Sequence, residues 1–278
     1  MKRVFIVGAG YVGSRAAQAL AARGHEVAFG RRSASASAGA HAMDVLDPAT
    51  FPAAMREADC VIYCVAADGF SEPAYRAAYV TGVRHVADAL RGASAKRFLL
   101  VGSTGVYGQD DGSVVDEDSP AEPRGFSGRL LLEGEDAAAR AGCESATIRF
   151  SGIYGPGRER LVRMVRAQAP VGPAARSAIT NRIHVDDCAR ALAHLVERDR
   201  VQPLYLGTDE APTPMGEILD WIADRLGLPR LPAGADEAGS PQRGGNKRLT
   251  SGRLRREGFA FRYPTYREGF GALIDAGA

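Results

Sequence analysis

The chain has 278 residues, 45% hydrophobic and 24% charged, the makeup of one large or two small globular domains and not of a disordered, collagenous or coiled-coil chain. Its 35 Lys and Arg against 33 Asp and Glu leave a net charge of +2, too small for the basic footprint of a nucleic-acid binder. No apolar run approaches the ~18 residues of a membrane span, and Cys60, Cys64, Cys143 and Cys188 form neither a CxxC pair nor a metal-ligand array, so a cytoplasmic protein with reduced thiols is expected.

Val4–Val7 is an all-apolar run, the pattern of a strand covered on both faces. The glycines that follow at once make it a strand and not a leader segment. Ser14–Arg23 reads as an Ala-rich helix stopped by Gly24. Glu26–Phe29 reads as a second strand, Arg32–Ala42 as a Ser/Ala-rich loop, and about His41–Met43 as a third strand. A helix over Phe51–Ala58 and a strand over Cys60–Ala67 follow. Pro73–Arg91 reads as a long helix with Tyr75, Tyr79, Val83, Val86 and Leu90 on one stripe. Then come a strand over Arg97–Val101, a helix over Leu130–Ala141 and a strand over Ser145–Phe150. This alternation predicts an α/β fold, a doubly wound parallel sheet of the Rossmann type with helices on both faces. Prolines break the second half into shorter elements: helices over Leu161–Gln168, Val185–Glu197 and Gly216–Leu226, and a Gly/Pro/Ala-rich mobile loop over Pro232–Asn246. The expected domains are a dinucleotide-binding domain over residues 1–155, to which 180–208 return, and a smaller substrate domain mainly over 156–278.

Gly8-Ala9-Gly10-Tyr11-Val12-Gly13 matches G-x-G-x-x-G between a buried strand and a helix, the context that gives the motif meaning. The first glycine permits the tight turn, the second lets a pyrophosphate sit against backbone, and the third lets helix and strand pack closely. The helix N-terminus then offers free N–H groups to the phosphates. The end of the second strand chooses the cofactor: an acid binds the ribose 2′-OH of NAD, whereas Arg takes the 2′-phosphate of NADP. Here the sequence is Gly30-Arg31-Arg32-Ser33, with two guanidiniums and no acid, which favours NADP(H) over NAD(H).

Several segments together resemble the extended short-chain dehydrogenases/reductases, the NAD-dependent epimerase/dehydratase group, over nearly the whole chain. Asp44-Val45 looks like the pair after the third strand that contacts adenine, and Val65-Ala66-Ala67 like the segment under the cofactor. Val101-Gly102-Ser103-Thr104-Gly105-Val106-Tyr107-Gly108 is similar to the "SSxxVYG" signature. Arg149-Phe150-Ser151-Gly152-Ile153-Tyr154-Gly155-Pro156-Gly157 is similar to "RxxxxYGPG", and Asn181–Ala189 to "xxxHVDDxA". The family's chemistry uses a Tyr and a Lys in a Y-x-x-x-K pair, the Tyr acting as general acid/base while hydride moves. Aligned on Glu133, this chain has Gly125 at the Tyr position and Arg129 at the Lys position. Arg129 can hold the nicotinamide ribose but cannot shuttle a proton. The resemblance is therefore to the atypical members that lack the pair.

By that resemblance Ser103 and Thr104 stand at the catalytic Ser/Thr and the dehydratase acid positions. Ser103 has two readings, a donor to a substrate oxygen or a satisfied strand-end serine. Tyr154 faces cofactor or substrate, or packs; His184 is a replacement base or a structural residue; Asp186 and Asp187 cap a helix. Arg158, Arg160, Arg163, Arg166, Arg176 and Arg182 outnumber the one acid, Glu159, between Gly155 and Arg182. That excess either suits an anionic small-molecule substrate, with Arg158 as a binding residue, or is the polar face of a helix. Asn246-Lys247-Arg248 closes over a ligand or begins a surface strand. Many relatives dimerise through two helices, here Pro73–Arg91 and Leu130–Ala141, and the resemblance allows a homodimer of that kind. Two functions follow: an NADP(H)-dependent oxidoreductase or epimerase with an atypical active site, or a dinucleotide-binding sensor that has lost its chemistry.

Overall fold

The structure, a computed structural model, describes residues 1–33, 38–236 and 245–277. The predicted loops over Arg32–Ala42 and Pro232–Asn246 thus lie partly outside the described residues, at 34–37 and 237–244. The chain divides into two compact units. The first comprises Met1–Val106, Pro123–Arg149 and Cys188–Tyr205, and the second Tyr107–Glu122, Phe150–Asp187 and Leu206–Ala278. The return into the first unit is shorter than 180–208. Tyr107–Glu122 joins the second unit because Val114–Val115 pairs in parallel with Arg248–Leu249.

The elements follow in chain order. They begin β1 (Arg3–Val7), α1 (Tyr11–Ala21), β2 (Glu26–Arg31), β3 (Ala40–Ala42), α2 (Ala53–Glu57) and β4 (Cys60–Tyr63). Next come α3 (Glu72–Tyr75), α4 (Gly82–Leu90), β5 (Arg97–Ser103), β6 (Val114–Val115), α5 (Phe126–Ala138) and β7 (Glu144–Phe150). Then come β8 (Gly152–Tyr154), α6 (Arg160–Arg166), α7 (Pro173–Ser177), β9 (Ile179–Thr180), β10 (Arg182–His184) and α8 (Val185–Glu197). Last are β11 (Leu204–Gly207), β12 (Thr213–Pro214), α9 (Met215–Leu226), β13 (Arg248–Leu249), α10 (Gly252–Arg256) and α11 (Tyr266–Asp275). Among the described residues no helix is long and apolar enough to cross a membrane.

Seven strands form one parallel sheet in the order β11-β7-β5-β4-β1-β2-β3, the doubly wound Rossmann topology. Its order reverses between β1 and β4, and the carboxyl ends there open the crevice where such sheets bind ligands. The predicted strand over Cys60–Ala67 stops at Tyr63, because beyond it the chain leaves the sheet at that crevice. Phe5, Val7, Val61, Tyr63, Phe98 and Leu100 supply one buried face and pack with Val83, Val86 and Leu90 of α4. The predicted helix over Pro73–Arg91 is present but not uniform: between α3 and α4, Arg76–Thr81 forms a π-helical turn. Gly134 of α5 lies against it, where a Cβ would come within 2.0 Å of the Tyr79 carbonyl oxygen. Helix α5 begins at Phe126, a turn earlier than its apolar run suggests, since Gly128 packs against Pro123 and the Gly105 backbone.

The second unit has its own core. Tyr154, Leu161, Val165, Ile218, Leu219, Ile222 and Phe270 are buried together. Helices α6, α9 and α11 thus cover one apolar centre, and the same unit holds the short pairs β8–β10, β9–β12 and β6–β13.

Candidate functional site

The glycine motif connects β1 to α1, and its three glycines differ in what surrounds them. Gly8 has φ +92, a left-handed conformation that glycine favours, and a Cβ there would meet the Val65 backbone nitrogen at 2.9 Å. Gly13 lies so close that a Cβ would come within 2.2 Å of the Gly8 carbonyl oxygen. At Gly10 no atom stands within 4 Å of an added Cβ. Gly10 is also the N-cap of α1, which has no side-chain cap and no acid in its first turn. An open, uncapped helix N-terminus at the switch point of a parallel sheet fits a pyrophosphate, and these residues fit a dinucleotide. Tyr11 and Val12 open α1 and are half-buried, with the Arg15 guanidinium 4.6 Å from the Tyr11 ring centroid.

Arg31 ends β2 and Arg32 follows it; both are exposed. Arg31 Nε donates to the Ser33 carbonyl at 2.9 Å. Arg32 is held in a two-pronged ion pair, Nη1 to Asp68 Oδ2 at 2.5 Å and Nη2 to Asp68 Oδ1 at 2.9 Å. Hydrogen bonding to Arg32, and then its charge, hold the Asp68 carboxyl below the usual carboxylate range. No motif in the sequence singles out Asp68. Residues 32 and 68 share no local period, and they meet because β2 and β4 both pair with β1. Asp44 Oδ1 accepts from the Leu46 N–H at 2.9 Å, and the Val45 carbonyl lies 2.9 Å from His85 Nδ1. Ala66 is exposed and Ala67 half-buried in the segment after β4.

Ser103 ends β5 and is half-buried; its Oγ accepts from the Gly105 N–H at 3.1 Å. That bond satisfies one lone pair and leaves the hydroxyl proton free to rotate. Thr104 is buried at the head of the short 3₁₀ turn that follows. Gly125 is the exposed N-cap of α5, with extended backbone at φ −122 and ψ 169. Arg129 lies one turn on, also exposed, with its N–H donating to the Gly125 carbonyl at 3.3 Å. Ser103, Thr104, Gly125 and Arg129 all lie in the first unit, as do the glycine motif, Arg31, Arg32, Asp44, Val45, Ala66 and Ala67.

The remaining candidates fall in the second unit. Tyr154 is 3% exposed, stacked on Phe270 at 4.5 Å and edge-on to His184 at 5.3 Å. Its hydroxyl rests on Gly269, where a Cβ would come within 1.7 Å. This is a packing position. Arg158 is exposed in the turn bridged by its N–H to the Gly155 carbonyl. Of the other arginines, Arg160, Arg163 and Arg166 lie on the polar side of α6, and Arg163 pairs with Glu159. Arg176 binds Asp220 at 2.7 Å, in a groove of about 680 Å³ that also includes Glu217, Trp221, Arg230 and Tyr266. Arg182 is more withdrawn, and burial lowers its guanidinium to about 10. His184 is buried, its Nδ1 accepting from the Asp186 N–H at 3.2 Å, which makes it structural. Asp187 lies in the first turn of α8. Fully buried, it accepts from the N–H groups of Arg262 and Tyr263, both at 2.8 Å. Lys247 is buried, with Nζ donating to the Tyr107 carbonyl at 2.8 Å, and leads into β13.

Comparison with known proteins identifies the family and the fold. The sequence profile described as the NAD dependent epimerase/dehydratase family matches residues 4–205. The 3-diazoavenalumate denitrifying reductase of a Streptomyces species is 28% identical over 254 residues, 82% of each chain. A Methylobacillus flagellatus structure assigned to the NAD-dependent epimerases/dehydratases is 40% identical, with a TM-score of 0.83 over 99% of this chain and 98% of its own. The human epimerase family protein SDR39U1, solved with NADPH, shares the fold at 20% identity and a TM-score of 0.80, over 98% of this chain and 99% of its own.

Proposed function

The chain belongs to the NAD dependent epimerase/dehydratase family, and on that premise we propose that it is an NADP(H)-dependent oxidoreductase or epimerase that works without the family's tyrosine. Its substrate in this reading is a small polar, in part anionic, molecule. The observation that carries the cofactor choice is the pair of exposed guanidiniums at the end of β2, with no acid at the position where NAD enzymes hold the ribose. The name of the Streptomyces reductase supports a reductase over an epimerase.

When bound, the dinucleotide supplies or takes up hydride. The backbone at Gly8 and Gly10 and the first turn of α1 would hold its pyrophosphate, and Arg31 and Arg32 its 2′-phosphate. Asp44 and Val45 would flank the adenine, Ala66 and Ala67 would lie beneath it, and Arg129 would orient the nicotinamide ribose. Ser103, whose proton is free to turn, would donate to a substrate oxygen, with Thr104 fixing the turn behind it. Gly125 moves no proton, so the rate depends on binding and orientation.

Calorimetric titration with NADP⁺ and then NAD⁺ tests this. The expected result is tighter binding of NADP⁺ by tenfold or more, about 1.4 kcal/mol. Binding of neither overturns it. Tight binding with no turnover of any carbonyl or sugar substrate favours the second reading, a redox-responsive sensor, for which the absence of a proton donor at residue 125 is the motive.

A further inference from the structure

Arg32 already has an anion in its fork. Asp68 meets both terminal nitrogens, at 2.5 and 2.9 Å, in the bidentate arrangement that a phosphate takes on a guanidinium. Both side chains are 67% exposed, so neither is needed to fill the core. The pair also joins the two loops that leave the sheet on either side of β1, at its switch point. Asp44 adds a second, weaker attraction on Arg32. With Arg31, this end of the sheet holds two cations and two acids, and a 2′-phosphate of about −1.5 to −2 charge entering there would meet Asp68 as well as Arg32.

We propose that Asp68 is a specificity-determining residue, an internal counterion that occupies Arg32 as the 2′-phosphate would and so narrows the preference for NADP over NAD. This rests on the assignment of Arg31 and Arg32 to the 2′-phosphate. A 2′-phosphorylated ligand has to displace or crowd Asp68; a ligand with a free 2′-hydroxyl leaves the ion pair in place. Asp68 thus weakens one cofactor selectively, and the effect is largest at low ionic strength, where exposed charges are least screened.

The test uses adenosine 2′,5′-bisphosphate and 5′-AMP with the full chain, titrated at low and high salt. Asp68→Asn is expected to tighten the bisphosphate by about fivefold, the upper end for an exposed ion pair, and to change 5′-AMP by less than about twofold. The gain should shrink at high salt. It should vanish in the double variant with Arg32→Ala, and Asp68→Ser should reproduce it. An unchanged bisphosphate affinity, equal tightening of both ligands, or weakening of both, as for a ribose ligand, overturns the proposal. These ligands carry no nicotinamide, so the result is separate from the enzyme reading. A chain that turns over NADH but not NADPH sinks the NADP assignment of the enzyme, while the bisphosphate titration still decides the role of Asp68.

Discussion

Gly125 stands at the exposed start of α5, where the resemblance calls for the family's tyrosine. Its backbone is extended, at φ −122, so any residue fits without strain, and the one atom near an added Cβ is Ser127 Oγ at 4.0 Å. Gly125→Tyr combined with Arg129→Lys should therefore fold normally and supply the acid/base pair. General acid catalysis contributes about 10²–10⁴-fold, so carbonyl reductase activity with NADPH should rise by at least ~10²-fold over the parent. Steady-state kinetics over a panel of aldehydes and ketones would show it. A variant that binds NADPH as the parent does and stays inert would mean that the surrounding groups no longer place a substrate. Gly10 shows the same economy: the residue type was legible in the sequence, but that its Cβ would point into open space was not.

Between elements, buried charge joins segments far apart in the chain. Arg97, 6% exposed at the start of β5, donates through Nη1 to the carbonyls of Leu195 at 2.7 Å and Arg198 at 2.8 Å. It also pairs with Glu144 at the start of β7. The guanidinium thus satisfies the last carbonyls of α8, whose end would otherwise leave them unmade. Arg97→Met should cost about 1–3 kcal/mol, because it leaves the buried carbonyls at the end of α8 without a donor, whereas Glu144 keeps Arg200 and the Val201 N–H. Urea unfolding followed by circular dichroism would measure it, and a loss under about 1 kcal/mol would mean that water replaces the guanidinium readily. Arg149 and Glu135 form a similar buried pair, at 2.6 Å. None of this was readable from the chain. Apolar periodicity locates strands and helices, but an arginine inside a strand gives no sign of which distant carbonyls it reaches. The shift of α5 to Phe126 has the same origin, since glycines read as breakers were there to permit close packing.

At the scale of the whole molecule, stability should depend on pH through Asp209 of the second unit. It is 2% exposed, its Oδ2 has no hydrogen-bond partner among the described residues, and burial pushes its carboxyl up to about 8. The folded state then holds a proton that the unfolded chain releases near its ordinary value of about 4, so stability falls as pH rises from about 4 to about 8. Asp209→Asn keeps the shape and cannot ionise. Its melting temperature should match the parent's at about pH 4 and below, and exceed it by a margin that grows up to about pH 8 and then levels off. Equal pH slopes for the two proteins would remove Asp209 as the source. The doubly wound sheet and the glycine loop after β1 were legible early, because parallel strands covered on both faces read as unbroken apolar runs. The assignment of Tyr107–Glu122 to the second unit was not, because it depends on a two-residue pairing with β13 more than a hundred positions away.

The π-helical turn at Arg76–Thr81 has a bearing on how such chains change length. A π turn houses one residue more than the α turn it replaces. A deletion falling there can be absorbed by reversion to ordinary winding, with Val83, Val86 and Leu90 still facing the sheet. The same deletion inside α4 would swing that stripe by about 100° and carry it off the core. Lineages of this fold should accordingly gain and lose single residues at this point, and alignments that place their gap elsewhere in the helix would misassign every position after it.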